Sequence, residues 1–170
     1  MGTLILIPAR KGSKGLPGKN VKLLGDCPLV LYSINFAKAV RKVTDRICIS
    51  TDDEDVIDIA RSNGLEVPFI RPAILSDDNA TTEDVILHAI KFYQDRGEGF
   101  KNILLLQPTS PLRLVSDYLN LLNVYDEDCE MVVSVKLAKD NPYFNLFEED
   151  KGGFLYRSKE GNFTRRQELP

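Results

Sequence analysis

The sequence predicts an α/β fold, doubly wound around a mainly parallel sheet with helices on both faces. Short apolar runs without polar alternation, such as Thr3 to Ile7 and Ile103 to Leu106, suit strands covered on both sides. They alternate with segments of helical period, as βαβ units require. A glycine-rich loop directly follows the first run, and folds of this class bind ligands beyond the carboxyl ends of their strands.

The elements follow in order. Residues 3 to 7 form the first strand, Ala9 to Gly25 a loop, and Pro28 to about Val43 a helix. Arg46 to Ser50 is β-rich and runs into Thr51-Asp52-Asp53-Glu54-Asp55, a cap and acidic first turn for a helix through Ser62. Asn63-Gly64 supplies its stop. Val67 to Ile70 is a short extended piece, the third of five expected strands, and Arg71 to Ala80 reads as a loop. Thr81-Thr82-Glu83-Asp84 opens an amphipathic helix carrying Val85, Leu87, His88, Ile90 and Phe92. Ile103 to Leu106 is expected as a fully buried strand, Ser116 to Tyr125 as a helix, and Met131 to Val135 as a further β-rich piece. The loops after Ile7, Ile49, Ile70 and Leu106 are therefore the candidate ligand loops.

From Lys139 the alternation gives way to apolar runs around Asp150-Lys151-Gly152-Gly153, which predicts a hairpin. This divides the chain into a core of residues 1–138 and an arm of residues 139–170, with the arm as the expected homodimer contact.

Composition narrows the function classes. The 170 residues carry 22 Lys and Arg against 25 Asp and Glu, a net charge of -3, which disfavours a dedicated nucleic-acid binder. No apolar run approaches the roughly 20 residues that span a bilayer, so no membrane partner is expected. The N-terminal run lacks a preceding basic segment and a small-residue cleavage site, so a cytoplasmic location is expected. Cys27, Cys48 and Cys129 are widely spaced, with His88 the only histidine; buried reduced thiols are expected rather than a zinc site. His88 itself falls within a helix and reads as a packing residue.

The charge is concentrated. Between Pro8 and Gly25 lie Arg10, Lys11, Lys14, Lys19 and Lys22 with no acid, and Gly12, Gly15 and Gly18 recur every third residue. Such a loop lets the backbone approach an anion closely, while Arg10, Lys14 and Lys19 neutralise phosphate oxygens. A polyphosphate ligand follows. The spacing excludes the Walker loop, because position 13 is Ser instead of Gly and position 20 is Asn instead of Ser or Thr. It also departs from the dinucleotide fingerprint, since the glycines run G-x-x-G-x-x-G. Asp52, Asp53, Asp77 and Asp78 precede helices and read as caps and loop acceptors; no metal ligand is assigned.

The run Ile7-Pro8-Ala9-Arg10-Lys11-Gly12-Ser13-Lys14-Gly15-Leu16-Pro17-Gly18-Lys19-Asn20 closely resembles the signature loop of the acylneuraminate cytidylyltransferases, the CMP-sialic acid synthetases. Ser50-Thr51-Asp52-Asp53, Arg71-Pro72 with Leu75-Ser76-Asp77, Gln107-Pro108-Thr109-Ser110-Pro111-Leu112-Arg113 and Arg165-Arg166-Gln167 agree in order, so the resemblance spans essentially the whole chain. It implies a nucleotidyltransferase-like fold and an enzyme that takes CTP and a sialic-type sugar acid, with Mg²⁺, to the CMP-sugar and pyrophosphate. The sugar's anomeric hydroxyl would attack the α-phosphorus in line.

By the same resemblance Arg10, Lys14 and Lys19 would carry the catalytic charge at the leaving group. Ala9, Arg10, Ser13 and Asn20 would line the triphosphate and ribose, and Arg71, Ala80 and Thr82 the cytidine end. Gln107, Thr109 and Ser110 would meet the acceptor sugar, and Arg166 its carboxylate. Two departures stand out. Tyr143-Phe144 occupies the place where some relatives offer a basic residue to the partner subunit, and the family's Asp-x-Asp magnesium pair lies beyond Pro170, which suggests a shortened chain. The alternatives are a 3-deoxy-manno-octulosonate cytidylyltransferase, against which Asn20 and Lys14-Gly15 speak, a nucleotide-binding module without turnover, and a structural protein with an incidental basic loop.

Overall fold

Strand β1 (Gly2–Pro8) holds the middle of the sheet because side chains on both of its faces are apolar and covered. The computed structural model describes residues 2–13, 15–126, 128–136, 140–143 and 145–161. Two compact units divide the chain, Met1–Val124 and Tyr125–Pro170.

In the first unit a short antiparallel ribbon, β2 (Leu23–Leu24) and β3 (Cys27–Pro28), turns at Gly25, whose φ of 62° suits glycine. Helix α1 (Leu29–Val40) follows Pro28, whose ring fixes φ ahead of the first turn. It ends three residues short of the expected Val43, which sits 95% exposed beyond the apolar stripe. Strand β4 (Arg46–Ser50) leads into α2 (Glu54–Ser62), capped by Asp53 Oδ1 on the Asp55 amide at 3.2 Å and stopped by Gly64 at φ 72°. Helix α3 (Thr82–Gln94) begins with a capping box in which Thr81 Oγ1 accepts from the Asp84 amide and the Asp84 carboxylate accepts from the Thr81 amide. The Thr81 hydroxyl and amide hold the Asp84 carboxyl below its usual range.

Strand β5 (Phe100–Leu105) and helix α4 (Val115–Val124) complete this unit. The sheet order is β4-β1-β5, all parallel, with Leu6 registered against both Cys48 and Leu105. Alternation along β1 assigns the faces. Ile5 and Ile7 pack with Val30, Ile34 and Ala37 of α1 and Val56 and Ala60 of α2. Leu4 and Leu6 pack with Ala89 and Tyr93 of α3. Truncating any of these four β1 side chains to Ala removes buried methylenes worth about 2–5 kcal/mol. Asp45, 2% exposed, ties the strand starts: its Oδ1 accepts from the Thr3 amide and its Oδ2 from the Lys42 amide, each at 2.8 Å.

Three expectations are corrected. Val67 to Ile70 forms no strand; Ile70 makes a single parallel bridge to Thr51, because the chain leaves β4 after one pairing. Met131 to Val135 forms none either, and Met131, Val133 and Val135 are exposed; β composition cannot make a ladder without a partner. Ile103 is 38% exposed, not buried, since among the described residues β5 has a neighbour, β1, on one side only. Cys48 is buried as expected, while Cys27 and Cys129 are half-buried.

In the second unit β6 (Phe147–Glu149) and β7 (Leu155–Arg157) form the expected antiparallel hairpin, registered Phe147 to Arg157. Asp150 Oδ1 accepts from the amides of Gly152 at 2.7 Å and Phe154 at 3.0 Å, with Gly153 at φ 83°. Among the described residues no helix is long and apolar enough to cross a membrane.

Candidate nucleotide site

Parallel pairing brings the carboxyl ends of β4, β1 and β5 to one edge of the sheet, where the glycine and Gln107 loops leave β1 and β5 and the Arg71 loop arrives through the Thr51–Ile70 bridge. Backbone bonds extend the ladder into them. The Ala9 amide donates to Ser50 O at 2.9 Å, Leu106 to Leu6 O at 2.8 Å, and Arg71 to Thr51 O at 2.8 Å. The first residues of the glycine loop, of the Arg71 loop and of the Gln107 loop are thereby held beside strand ends.

Side chains fix the mouth of the glycine loop. The buried Thr51 hydroxyl donates to Ala9 O at 2.6 Å, and Asn20 Nδ2, on a residue 6% exposed, donates to Arg10 O at 2.9 Å. Asp52 Oδ1 accepts from the Lys11 amide at 2.8 Å. The Asn20 side chain thus faces the loop backbone. Gly18 at φ 63° reverses the chain into a short 3₁₀ turn, Lys19–Val21, which sets the half-buried Lys19 at its start. Ser13 is half-buried in the same loop, and Lys14 lies outside the described residues.

Among the described residues Arg71 is the most deeply set cation, 4% exposed. Its Nε donates to Ser50 Oγ at 3.0 Å and its Nη2 to Ser50 O. Both partners are neutral, and among the described residues no carboxylate pairs with it within 4 Å. Burial therefore pulls the guanidinium below its ordinary value; Asp52 opposes that shift, Arg10 adds to it, and the Cys48 thiol opposes it again. Beneath it, burial pushes the Cys48 thiol up to about 12, partly offset by a hydrogen bond from Tyr93 and by Arg71. Burial raises Tyr93 as well. His88 packs its ring edge-on against Phe69 at 4.6 Å between centroids. Its Nδ1 is buried without a hydrogen-bond partner among the described residues, and burial, then Arg71, lowers its pKa.

The Arg71 loop folds back on the glycine loop. Asp77 Oδ1 accepts from the amides of Asn79 at 2.8 Å and Ala80 at 2.9 Å, and Thr82, exposed, opens α3 just beyond. Arg10 reaches across to the Asp77 carbonyl and to Asp78 Oδ1, the latter at 2.9 Å. The five basic residues of the loop are thus partly neutralised from a segment 68 positions away, which local composition does not reveal.

Gln107, Thr109 and Ser110 lie exposed at the end of β5. The Gln107 carbonyl accepts from the Ser110 amide at 3.1 Å and from Arg113 Nη2 at 2.6 Å, while Arg113 Nη1 reaches Ser33 Oγ of α1 at 3.3 Å. Arg113 therefore anchors this turn to the core, a role its place in a charged loop does not disclose. Arg166 lies outside the described residues. A groove of about 360 Å³ runs between α2 and Val67, Phe69 and Ile70, and none of the residues expected at the site lines it.

Among the described residues no group of three or more His, Cys, Asp or Glu side chains could hold a metal ion. Asp53 caps α2, Asp77 closes its own turn, Asp52 holds the Lys11 amide and Asp78 holds Arg10. Engaged in these bonds, the acids do not fit the magnesium that the loop resemblance implies.

A family model described as cytidylyltransferase matches residues 4–170. The chain is 35% identical over 173 residues to the post-translational flagellin modification protein B of Campylobacter coli, covering 98% of this chain and 71% of that one. It is also 35% identical over 155 residues to the CMP-N,N'-diacetyllegionaminic acid synthase of Legionella pneumophila, covering 91% of this chain and 66% of that one. A solved structure of CMP:2-keto-3-deoxy-manno-octonic acid synthetase complexed with CTP superposes with a TM-score of 0.56 at 23% identity, covering 72% of this chain and 46% of that one, a likeness of fold. The chain thus spans between about half and seven-tenths of these proteins. With the family match running over nearly its whole length, this chain belongs to the cytidylyltransferase family.

Proposed function

We propose that this chain carries the nucleotide-binding part of an enzyme that transfers CMP from CTP to the anomeric hydroxyl of a nonulosonic acid and releases pyrophosphate. One observation carries the reading: a basic glycine loop and a buried arginine, Arg71, meet at the carboxyl edge of a parallel sheet. Family membership supports cytidine as the base, and likeness to the Legionella CMP-N,N'-diacetyllegionaminic acid synthase supports a nonulosonic acid as acceptor. The loop resemblance is to acylneuraminate cytidylyltransferases as a group, so N-acetylneuraminate, legionaminate, pseudaminate and a deaminated analogue stand as equal candidates for the acceptor.

In this reading Arg10, Lys14 and Lys19 neutralise the triphosphate as charge moves onto the leaving pyrophosphate. Ala9, Ser13 and Asn20 shape the loop around it. Arg71, Ala80 and Thr82 frame the cytidine, and Gln107, Thr109, Ser110 and Arg166 receive the sugar acid. Nucleophile and leaving group both belong to the substrates, so the protein's work is to orient two anions. The exposed Phe154, Leu155 and Tyr156 of the hairpin support a homodimer contact; sedimentation of a chain lacking residues 139–170 tests it, and a truncated chain that remains dimeric refutes it.

Calorimetric titration of the 170-residue chain with CTP, UTP, ATP and GTP tests the nucleotide assignment. Clearly tighter CTP binding is expected; a folded sample with no preference for CTP overturns it. An acceptor panel of N-acetylneuraminate, legionaminate, pseudaminate and 3-deoxy-manno-octulosonate then separates the sugar acids.

A further inference from the structure

The Ser50-Thr51 step holds two halves of the site at once. Ser50 O accepts from the Ala9 amide at 2.9 Å and from Arg71 Nη2, and Ser50 Oγ accepts from Arg71 Nε at 3.0 Å. Thr51 Oγ1 donates to Ala9 O at 2.6 Å and accepts from the Asp53 amide at 3.0 Å, while Thr51 O accepts from the Arg71 amide at 2.8 Å. Ser50 and Thr51 are both 0% exposed, so these bonds form away from water, and each one lost strands a buried group. The glycine loop begins at Ala9 and the cytidine-side loop begins at Arg71. Apart from strand pairing, these bonds are what ties both starts to one dipeptide.

We propose that Thr51 is a positioning residue: its hydroxyl and carbonyl set the Ala9-Arg10-Lys11 segment and Arg71 in a common register, so that phosphate and base are received at a fixed separation. The inference rests on the nucleotide reading above. A residue acting in this way affects both ends of the ligand, whereas a side chain that meets only phosphate affects one. Valine keeps the shape of Thr51 without the hydroxyl, and serine keeps the hydroxyl.

Two readouts on the full chain separate positioning from plain stability. The first, amide hydrogen exchange without ligand, is independent of what the site binds. Thr51→Val, which keeps the carbonyl that accepts from the Arg71 amide, is expected to speed exchange at Asp53 and Lys11 while amides in α3 and β5 keep wild-type protection. The second is affinity for inorganic triphosphate and for cytidine, measured separately. Thr51→Val is expected to weaken both by roughly tenfold, the size of one unmade bond to a buried acceptor, and Thr51→Ser to restore both to within about threefold. Unchanged exchange at those two amides, or a Thr51→Ser protein as weak as Thr51→Val, overturns the proposal. So does a uniform rise in exchange across α3 and β5 with unaltered affinities, which marks a structural residue only. A wild-type chain that binds neither probe sinks the nucleotide reading, and the exchange pattern then decides the positioning role by itself.

Discussion

The Arg10 guanidinium rests on the Asp78 carboxylate, Nη2 to Oδ1 at 2.9 Å, with the two side chains 33% and 45% exposed. A pair so open to water is worth about 0–1 kcal/mol, little against the charge-assisted bonds a triphosphate offers. Arg10 is therefore free to exchange partners when a polyanion arrives. Arg10→Ala is expected to weaken CTP by about tenfold while CMP loses far less, as calorimetry with both ligands will show. Equal losses for CTP and CMP would remove Arg10 from the phosphate contacts.

Asp78 is then an internal competitor for the same cation. Asp78→Asn keeps an oxygen in place and removes the charge, so inorganic triphosphate should bind up to about fivefold more tightly. The gain should shrink as salt screens the competing carboxylate. Weaker binding at every ionic strength would show that Asp78 supports the anion site instead of opposing it.

Gly2 leaves no room for a side chain. A Cβ there would stand 1.9 Å from Thr44 O, a backbone atom, so the strand or the turn before β4 must move. Gly2→Ala is expected to cost about 1–3 kcal/mol, typical of overpacking, read as a lower denaturant midpoint. An unchanged midpoint would mean that the Thr44 turn yields freely.

His88 makes the fold sensitive to mild acid. Its pKa is lowered in the folded chain, first by burial and then by Arg71, so the unfolded chain binds the proton more readily. The neutral ring's contribution is fully present above the unfolded value near 6.5 and is lost as pH falls from there through the lower folded value. The melting temperature of the wild-type protein should accordingly fall between pH 7 and pH 5 more steeply than that of His88→Gln. Parallel curves would place the titrating group elsewhere.

Most regular elements were legible because their signals are local. Thr81 and Asp84 spell a capping box three residues apart, Asn63-Gly64 spells a stop, and Asp150 to Gly153 spells a hairpin turn. Val67 to Ile70 and Met131 to Val135 have the composition of strands without the pairing, which depends on what else stands beside them. Residue type alone marks the glycine loop as a candidate anion site. What organises it was not legible: Thr51 meets Ala9 across 42 positions and Arg10 meets Asp78 across 68, contacts set by the sheet register and not by any nearby spacing.

Cys48 has 0% exposure and a thiol pushed up to about 12, at the middle of β4. Since the thiolate is the reactive form, a maleimide or disulfide reagent has almost nothing to attack while the sheet is closed. Cys27 and Cys129 are half-buried and should be modified first. In a chain whose other two cysteines are replaced by serine, the rate of Cys48 labelling becomes a clock for opening of the central sheet. A nucleotide that seats on the loops held by Ser50 and Thr51, two and three residues beyond Cys48 along the chain, should slow that clock in proportion to its occupancy.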